Sequence, residues 1–116
     1  MTAAVRREIT PDVRAIVAAA AILVSACGPD GAAAKAHIVV MRGLEFLPAV
    51  VDAEPGDTIT WINKDVMPHT ATAGDGAWDS GSLEEGEEWL LIIEAESDGA
   101  YVCSFHPQMT GEVNVE

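Results

Sequence analysis

Three side chains that bind soft metal ions lie within seven residues near the end of the sequence. Cys103, His106 and Met109 supply a thiolate, an imidazole and a thioether, and two residues separate each of them from the next. Taken singly they have ordinary explanations, because a lone cysteine is usually a small buried hydrophobe and a lone methionine often fills a core. A second histidine, His69, lies upstream in the segment VMPHTAT. These four side chains can act together only if the fold brings His69 to the other three.

Together, the four residues form the ligand set of one kind of copper site. Two histidines and a cysteine in a trigonal arrangement, with a weak axial methionine, are the ligands of blue copper electron-transfer centres. Thiolate and thioether suit Cu(I) and imidazole suits both oxidation states, so one geometry can hold copper while its charge changes. Zinc is the competing metal, but structural zinc sites use cysteine and histidine without methionine. The pattern therefore predicts one copper ion bound by His69, Cys103, His106 and Met109.

Alternating apolar and polar residues predict β-strands from about residue 36 onward. The segments DTITWINKD and EEWLLIIEA alternate with a period of two, which assigns Trp61 and Trp89 to buried faces. Two earlier segments, AHIVVM and LEFLPAVV, supply further strands, and Pro48 marks a bulge or an edge position. No helical period is convincing past residue 36. Dipeptides typical of turns separate the strands at Pro55-Gly56, Asp75-Gly76, Glu85-Gly86 and Asp98-Gly99.

Seven or eight short strands in about 80 residues predict an all-β fold, an antiparallel β-sandwich. The loop between its last two strands would hold Cys103, His106 and Met109, and His69 would lie at the start of a central strand. The sandwich would thus bring the four candidate ligands to one place. Because a core of this size gives only marginal stability, a bound ion would also stabilise the fold.

The first 26 residues are organised like an export signal. Arg6, Arg7 and Arg14 accompany an apolar run from Ala15 to Ala26, which is shorter than the about 20 residues that a membrane-spanning helix needs. A buried amphipathic helix is the alternative, but the run has no polar face. The residues around the arginine pair match the twin-arginine motif poorly, so the export route stays open. Residues 1–26 are predicted to be a lipoprotein signal peptide.

The end of that signal, VSAC at residues 24–27, resembles the lipobox of bacterial lipoproteins, in which the cysteine is acylated and becomes the first residue. Each buried CH₂ of an acyl chain contributes about 0.8 kcal/mol, so an acylated Cys27 would be a firm membrane anchor. The alternative is a disulfide between Cys27 and Cys103, which export would permit. Residues 27–35 are predicted to be the lipidated cysteine and a tether, and residues 36–116 the folded domain.

Acidic side chains dominate the part of the chain that would remain after the signal is removed. Residues 27–116 contain Lys35, Arg42 and Lys64 against 17 aspartates and glutamates, a net charge of −14, and the whole chain has −13. Such a field repels nucleic acids and anionic lipid headgroups and favours cationic partners. Solubility or a salty habitat explains the charge equally well, and the LEEGEE segment at residues 83–88 is either a docking patch or a solvated turn.

Two long segments are similar to sequences of a known family. EPGDTITWINKDVMPHTATAGDGAWDSGSLEEGEEW, followed by GAYVCSFHPQMTGEVNVE, resembles plastocyanin-like cupredoxins, and the amicyanin branch in particular. The resemblance covers residues 37–116, and its most specific elements are PGDTITWINKD, PHT, DSG and CSFHPQMTGEV. The short Cys103–Met109 loop is that of amicyanins, whereas plastocyanins space the last two ligands further apart. The resemblance implies a Greek-key β-sandwich of about seven to eight strands with one type 1 copper ion.

The resemblance also implies a role for each residue of the candidate site. His69, Cys103 and His106 would be the equatorial ligands, and Met109 would be the axial ligand. The family often has asparagine directly after the first histidine, where this sequence has Thr70. The backbone N–H of Thr70 could still donate to the sulfur of Cys103, a contact that adjusts the reduction potential.

Four apolar residues flank the two candidate histidine ligands and would form a collar at that end of the sandwich, namely Met67, Pro68, Phe105 and Pro107. Core packing explains them as well as a docking surface does, and in the resembling family this end meets redox partners. The third histidine, His37, matches no ligand position and is predicted to be a surface residue.

Two function classes fit the sequence. The first is a one-electron carrier, a monomer tethered to a bacterial membrane outside the cytoplasm, whose partners are cationic redox proteins such as a cytochrome or an oxidoreductase. The second is a lipoprotein that stores or delivers copper without redox turnover. A thiolate with a weak axial thioether favours the carrier, because delivery proteins use exposed methionine and histidine clusters. An enzyme is not expected, since three histidines and one cysteine near the site cannot build a type 2, trinuclear or binuclear copper centre as well.

Overall fold

The computed structural model describes residues 33–116. The signal peptide, Cys27 and most of the tether predicted above lie outside these residues. Residues 33–116 contain no helix long and apolar enough to cross a membrane. They form eight strands and one 3₁₀ turn (Ala95–Ser97), with the strands β1 Ala36–Arg42, β2 Glu45–Leu47, β3 Val50–Ala53, β4 Thr58–Asn63, β5 Thr72–Ala73, β6 Glu88–Ile92, β7 Gly99–Val102 and β8 Thr110–Val115.

The strands form two four-stranded sheets, which confirms the predicted all-β sandwich. The first sheet has the order β2-β1-β4-β6 and the second β3-β8-β7-β5. Most neighbours are antiparallel, as predicted, but β1 pairs with β4 and β3 pairs with β8 in parallel. The sheets are therefore mixed, because the chain leaves the first sheet after β2, forms β3 in the second, and returns to lay β4 beside β1.

The predicted strand LEFLPAVV is two strands in different sheets. β2 pairs with β1 in the first sheet, and β3 pairs with β8 in the second. Pro48 lies between them after a cis Leu47–Pro48 peptide bond. Proline has no backbone N–H to give to a sheet, so it fits the point where the chain crosses from one sheet to the other.

The core is built around aromatic rings from both sheets. Trp61 is fully buried, and its ring centroid lies 5.2 Å from that of Trp78, 5.6 Å from that of Trp89 and 5.5 Å from that of Tyr101. Burial raises the pKa of Tyr101 to about 12. A Cβ atom at Gly111 would overlap the Tyr101 ring, so the cross-strand neighbour of this tyrosine has to be glycine. This core joins β4 to β7, the strand that leads into the candidate ligand loop.

A polar cluster lies at the start of β1 and β4. Asp57 is buried and accepts hydrogen bonds from the backbone N–H groups of Glu54 (3.0 Å) and Lys35 (2.8 Å). Nε2 of His37 lies 3.0 Å from Oδ2 of Asp57, the same oxygen that accepts the Glu54 N–H. The backbone donor at Glu54, the His37 ring and the Lys35 N–H lower the pKa of Asp57 to about 2. The prediction of His37 as a plain surface residue is therefore wrong, because it is half-buried and fastens β1 to this carboxylate.

Candidate metal centre

Three of the four predicted ligands converge at one end of the sandwich. The Sγ atom of Cys103 lies 3.7 Å from Nδ1 of His69 and 3.6 Å from Nδ1 of His106. The three donor atoms all lie within 4.8 Å of one another. The two imidazole rings meet edge to face, with centroids 5.1 Å apart. Two nitrogens and one sulfur therefore surround a common point.

These separations suit a metal ion at that point. An ion bonded to sulfur at about 2.3 Å and to imidazole nitrogen at about 2.0–2.1 Å, the bond lengths of Zn²⁺, would hold sulfur and nitrogen about 3.7 Å apart at a trigonal angle. Cys103 and His69 are fully buried, whereas His106 is partly exposed. The residues thus offer three ligands, one of them a soft thiolate, in a site that is largely shielded from water. Such a site fits copper with an additional weak axial ligand.

The loop from Cys103 to Met109 connects β7 to β8 and is closed by its own backbone. Cys103 N–H donates to Met109 O at 3.0 Å, Met109 N–H to His106 O at 2.8 Å, and His106 N–H to Cys103 O at 3.2 Å. The predicted axial residue Met109 is 1% exposed. The two-residue spacings place Cys103, His106 and Met109 at the ends of two consecutive turns, each closed by a backbone hydrogen bond.

His69 lies before an edge strand. The prediction that it begins a central strand is wrong, because β5 has only two residues and pairs with β7 alone. His69 instead forms an isolated bridge with Leu83, in which the two residues exchange backbone hydrogen bonds of 3.0 and 2.8 Å. That bridge fixes the backbone of His69 where no continuous strand does.

Thr70 joins the two halves of the site. Its backbone N–H donates to Sγ of Cys103 at 3.3 Å, as the sequence predicted. Its hydroxyl accepts the backbone N–H of Ser104 at 2.8 Å and lies 2.9 Å from the hydroxyl of Thr72. The threonine side chain, which stands where the family often has asparagine, thus holds the residue after Cys103 in place.

Sequence reasoning missed Asp65, which contacts the far side of the His69 ring. Its Oδ2 lies 2.7 Å from Nε2 of His69. Partial burial raises the pKa of Asp65, but hydrogen bonds from Gly43 N–H, the His69 ring and Leu44 N–H outweigh it and lower the pKa below its usual value. With a metal on Nδ1, the Nε2–H would donate to an ionised carboxylate, an arrangement that fixes the ring and raises its basicity. The only sequence signal was an acidic residue four positions before a candidate ligand.

The backbone around Asp65 is arranged to hold that carboxylate. The turn between β1 and β2 has φ of +62° at both Gly43 and Leu44, as in a type I′ turn, and both N–H groups point at the Asp65 side chain. On the other side, Asn63 accepts the Asp65 N–H at 2.8 Å and donates to the carbonyls of Met67 and Leu83 at 2.8 Å each. A left-handed leucine is costly, and such strain often supports a functional site.

We expect Asp65→Asn to weaken Cu(II) binding and raise the reduction potential. The amide keeps the shape but removes the negative charge that stabilises Cu(II) through His69, and losing such a partner typically costs about 10–100-fold in metal affinity. Competition with a chelator gives the affinity, and a redox titration gives the potential. Asp52→Asn removes the same charge at an exposed position of β3 and should change neither quantity. If Asp65→Asn left the copper affinity and the reduction potential unchanged, the charge of the carboxylate would have no effect on the metal.

The apolar residues beside the two candidate histidine ligands are mostly exposed. Of the predicted collar, Met67 and Phe105 are 41% and 52% exposed, Pro107 is exposed and Pro68 is half-buried. The core-packing alternative is therefore wrong for three of the four residues. The LEEGEE segment lies at this same end, since Leu83 pairs with His69.

The sequence and the fold both match known copper proteins. Residues 32–116 match the family of copper binding proteins described as plastocyanin/azurin. Amicyanin from Paracoccus versutus is 28% identical over 88 residues, which cover 72% of this chain and 67% of that protein. A purple cupredoxin from Nitrosopumilus maritimus superposes with a TM-score of 0.61 at 26% identity, over 69% of this chain and 99% of that one.

A larger protein also contains this fold. The copper-containing nitrite reductase from Thermus scotoductus SA-01 superposes with a TM-score of 0.61 at 27% identity. The match covers 69% of this chain but only 22% of the reductase, so the shared part is one domain of that enzyme.

Proposed function

Because the chain belongs to the plastocyanin/azurin family of copper-binding proteins, with copper as its cofactor, we propose that it is a one-electron carrier outside the cytoplasm. The observation that carries the proposal is the convergence of the donor atoms of His69, Cys103 and His106 within 4.8 Å. We assign these residues as equatorial ligands and Met109 as the axial ligand. The protein would exchange electrons with redox proteins and would not itself be an enzyme.

Bound copper would supply a centre that takes up and releases one electron. The chain holds the ligands of the copper in fixed positions, whichever oxidation state the copper has. The Asp65 carboxylate orients the His69 ring, and the Thr70 N–H orients the Cys103 sulfur. Burial of Cys103 excludes water, while the partly exposed His106 ring gives a partner its nearest approach to the site. Little rearrangement is then needed between Cu(II) and Cu(I), which favours rapid transfer.

Copper storage or delivery is the competing function. A delivery protein must release its metal to a partner, and exposed methionine and histidine clusters do so readily. Here the candidate ligands Cys103, His69 and Met109 are each at most 1% exposed. Such enclosure slows release of the ion and supports the carrier.

We expect electron exchange with a basic protein to fall steeply as salt rises. Cytochrome c serves as a basic probe, mixed by stopped flow in whichever direction the potentials favour. The Debye length shrinks from about 30 Å at 0.01 M to about 8 Å at 0.15 M ionic strength, which screens long-range attraction. Glu84→Lys with Glu85→Lys at the copper end should flatten this dependence, and Glu94→Lys with Glu96→Lys, beyond the far end of β6, should flatten it less.

Two results would change these assignments. Absence of transfer in either direction would contradict the carrier and favour delivery. A fast but salt-independent rate would place docking on the apolar collar, and the acidity would then serve solubility or habitat.

We also propose that residues 1–26 are a signal peptide, that Cys27 is acylated and that residues 27–35 tether the domain to a bacterial membrane. Cys27→Ala should release the protein into the soluble fraction or block its processing, because the acyl chains would be lost, while copper binding stays intact. Membrane fractionation and the visible spectrum check both parts. An unmutated chain that lacks the copper band, together with a Cys27→Ala chain that gains it, would instead support a disulfide between Cys27 and Cys103, because only a free Cys103 can supply the thiolate.

A further inference from the structure

The outward face of the first sheet is apolar where a two-layer sandwich is normally polar. Antiparallel sheets with one face on the core usually turn polar residues to solvent. Here the exposed fractions reach 57% at Ile38, 53% at Leu90 and 59% at Ile92. The outward apolar side chains are Ile38 and Val40 on β1, Leu47 on β2, Ile62 on β4, and Leu90 and Ile92 on β6.

The register brings these side chains close together on one face of the sheet, with Thr58, Thr60 and Glu88 facing outward among them. Val40 is paired with Leu47 on one side and with Ile62 on the other. In the next outward row, Ile38 is paired with Thr60, and Thr60 with Leu90. A patch that crosses all four strands of a sheet marks an interaction surface rather than scattered exposure. We call it the outer face of the first sheet.

Cationic residues lie at both ends of this outer face. Arg42 ends β1, and Lys64 follows β4 beside it, since Lys64 N–H donates to Met41 O at 2.9 Å. Lys35 directly precedes β1 at the opposite end. These three are the only lysines and arginines after residue 26, in a chain with 19 acidic residues. The outer face thus has an apolar centre with Arg42 and Lys64 at one end, and it also carries the outward acidic residues Glu45 and Glu88.

The predicted tether leads into the sheet that carries this face. The strand β1 begins at Ala36, so residues 28–35 would connect Cys27 to a strand of the outer face. Eight residues span at most about 26–29 Å when fully extended. An acylated Cys27 would therefore keep the outer face within a short distance of the bilayer.

We propose that the outer face of the first sheet lies on the surface of the lipid bilayer to which the protein is tethered, an inference that rests on the proposed anchor at Cys27. Apolar side chains would enter the headgroup region, and Arg42 and Lys64 would meet lipid phosphates, which zwitterionic lipids carry too. The tether makes this contact intramolecular, so a weak affinity suffices despite the acidity of the rest of the domain. Strands β1 and β4 would lie along the membrane and direct the His106 edge sideways, toward partners in the same membrane.

Site-directed fluorescence on the full acylated chain tests this orientation. A cysteine introduced by Leu90→Cys in the outer face, or by Ala100→Cys on the exposed side of the second sheet, carries a nitrobenzoxadiazole label. Cys103 is buried and Cys27 is acylated, so neither should react. In phosphatidylcholine vesicles we expect a blue shift and several-fold stronger quenching by spin-labelled lipid at position 90 than at position 100. The copper absorption band checks that each labelled chain is folded.

Three other outcomes would overturn the proposal, and each has a distinct cause. Equal, water-like emission at both positions in vesicle-bound protein would show that the domain hangs free while the anchor holds. Protein that does not associate with the vesicles at all would contradict the anchor itself. A blue shift at position 90 in the soluble Cys27→Ala chain, together with a dimer in sedimentation, would assign the outer face to a second copy.

Discussion

Cys103→Ser should abolish the strong visible absorption of the copper-loaded protein. That absorption belongs to the copper–thiolate bond, and a serine hydroxyl is a poor replacement for a soft thiolate ligand. Sγ of Cys103 lies within 3.7 Å of Nδ1 of both candidate imidazoles, so it supplies the thiolate of the site. We expect complete loss of the band and at least a tenfold loss of copper affinity.

The second cysteine of the chain provides the matched control for this experiment. Cys27→Ser removes a sulfur outside the candidate site and should leave the band unchanged. Circular dichroism should show that the Cys103→Ser domain is still folded, because the aromatic core around Trp61 is untouched. A band that persists in Cys103→Ser would disprove the ligand assignment.

Met109→Leu should keep the colour and raise the reduction potential. The buried methionine is a weak axial donor, and its loss destabilises Cu(II) more than Cu(I). A tenfold change in the relative affinity of the two oxidation states corresponds to about 59 mV for one electron, so we expect a rise of this order or more. Leucine has nearly the same volume, which limits the effect on packing. A redox titration followed at the visible band measures the shift.

Met41→Leu makes the same substitution at a fully buried position in β1 and should not change the potential. Loss of copper from Met109→Leu would show that Met109 binds the metal more strongly than an axial ligand does. An unchanged potential would mean that Met109 is core packing alone.

Local sequence patterns predicted the fold because burial in a sandwich follows a period of two. Trp61 is fully buried on the face that the alternation in DTITWINKD predicts to be apolar. The parallel pairing of β1 with β4 and the crossing at Pro48 depend on which sheet each strand joins. That choice is made by contacts between segments distant in sequence, which no local pattern records.

The candidate ligands could be predicted because three of them share one short loop and their residue types are chemically specific. The position of His69 before the short strand β5 could not be predicted from the sequence. A single backbone bridge to Leu83, a residue distant in sequence, holds His69 in place. Asp65 was missed because acidic residues are abundant and only the fold shows which carboxylate reaches an imidazole. The outer face of the first sheet did leave a signal, which the period-two interpretation of EEWLLIIEA overlooked: residues 89–92 are all apolar, so this strand has apolar side chains on both faces.

Titration of the purified, metal-free chain with Cu(II), followed by visible spectroscopy, tests the central claim most directly. An electron-carrier site built from His69, Cys103, His106 and Met109 should give an intense thiolate charge-transfer band. That band should saturate at one copper per chain, bleach on reduction and return on reoxidation without loss of metal. A colourless protein that binds Cu(I) stoichiometrically and gives no thiolate band with Cu(II) would contradict the carrier and favour copper delivery.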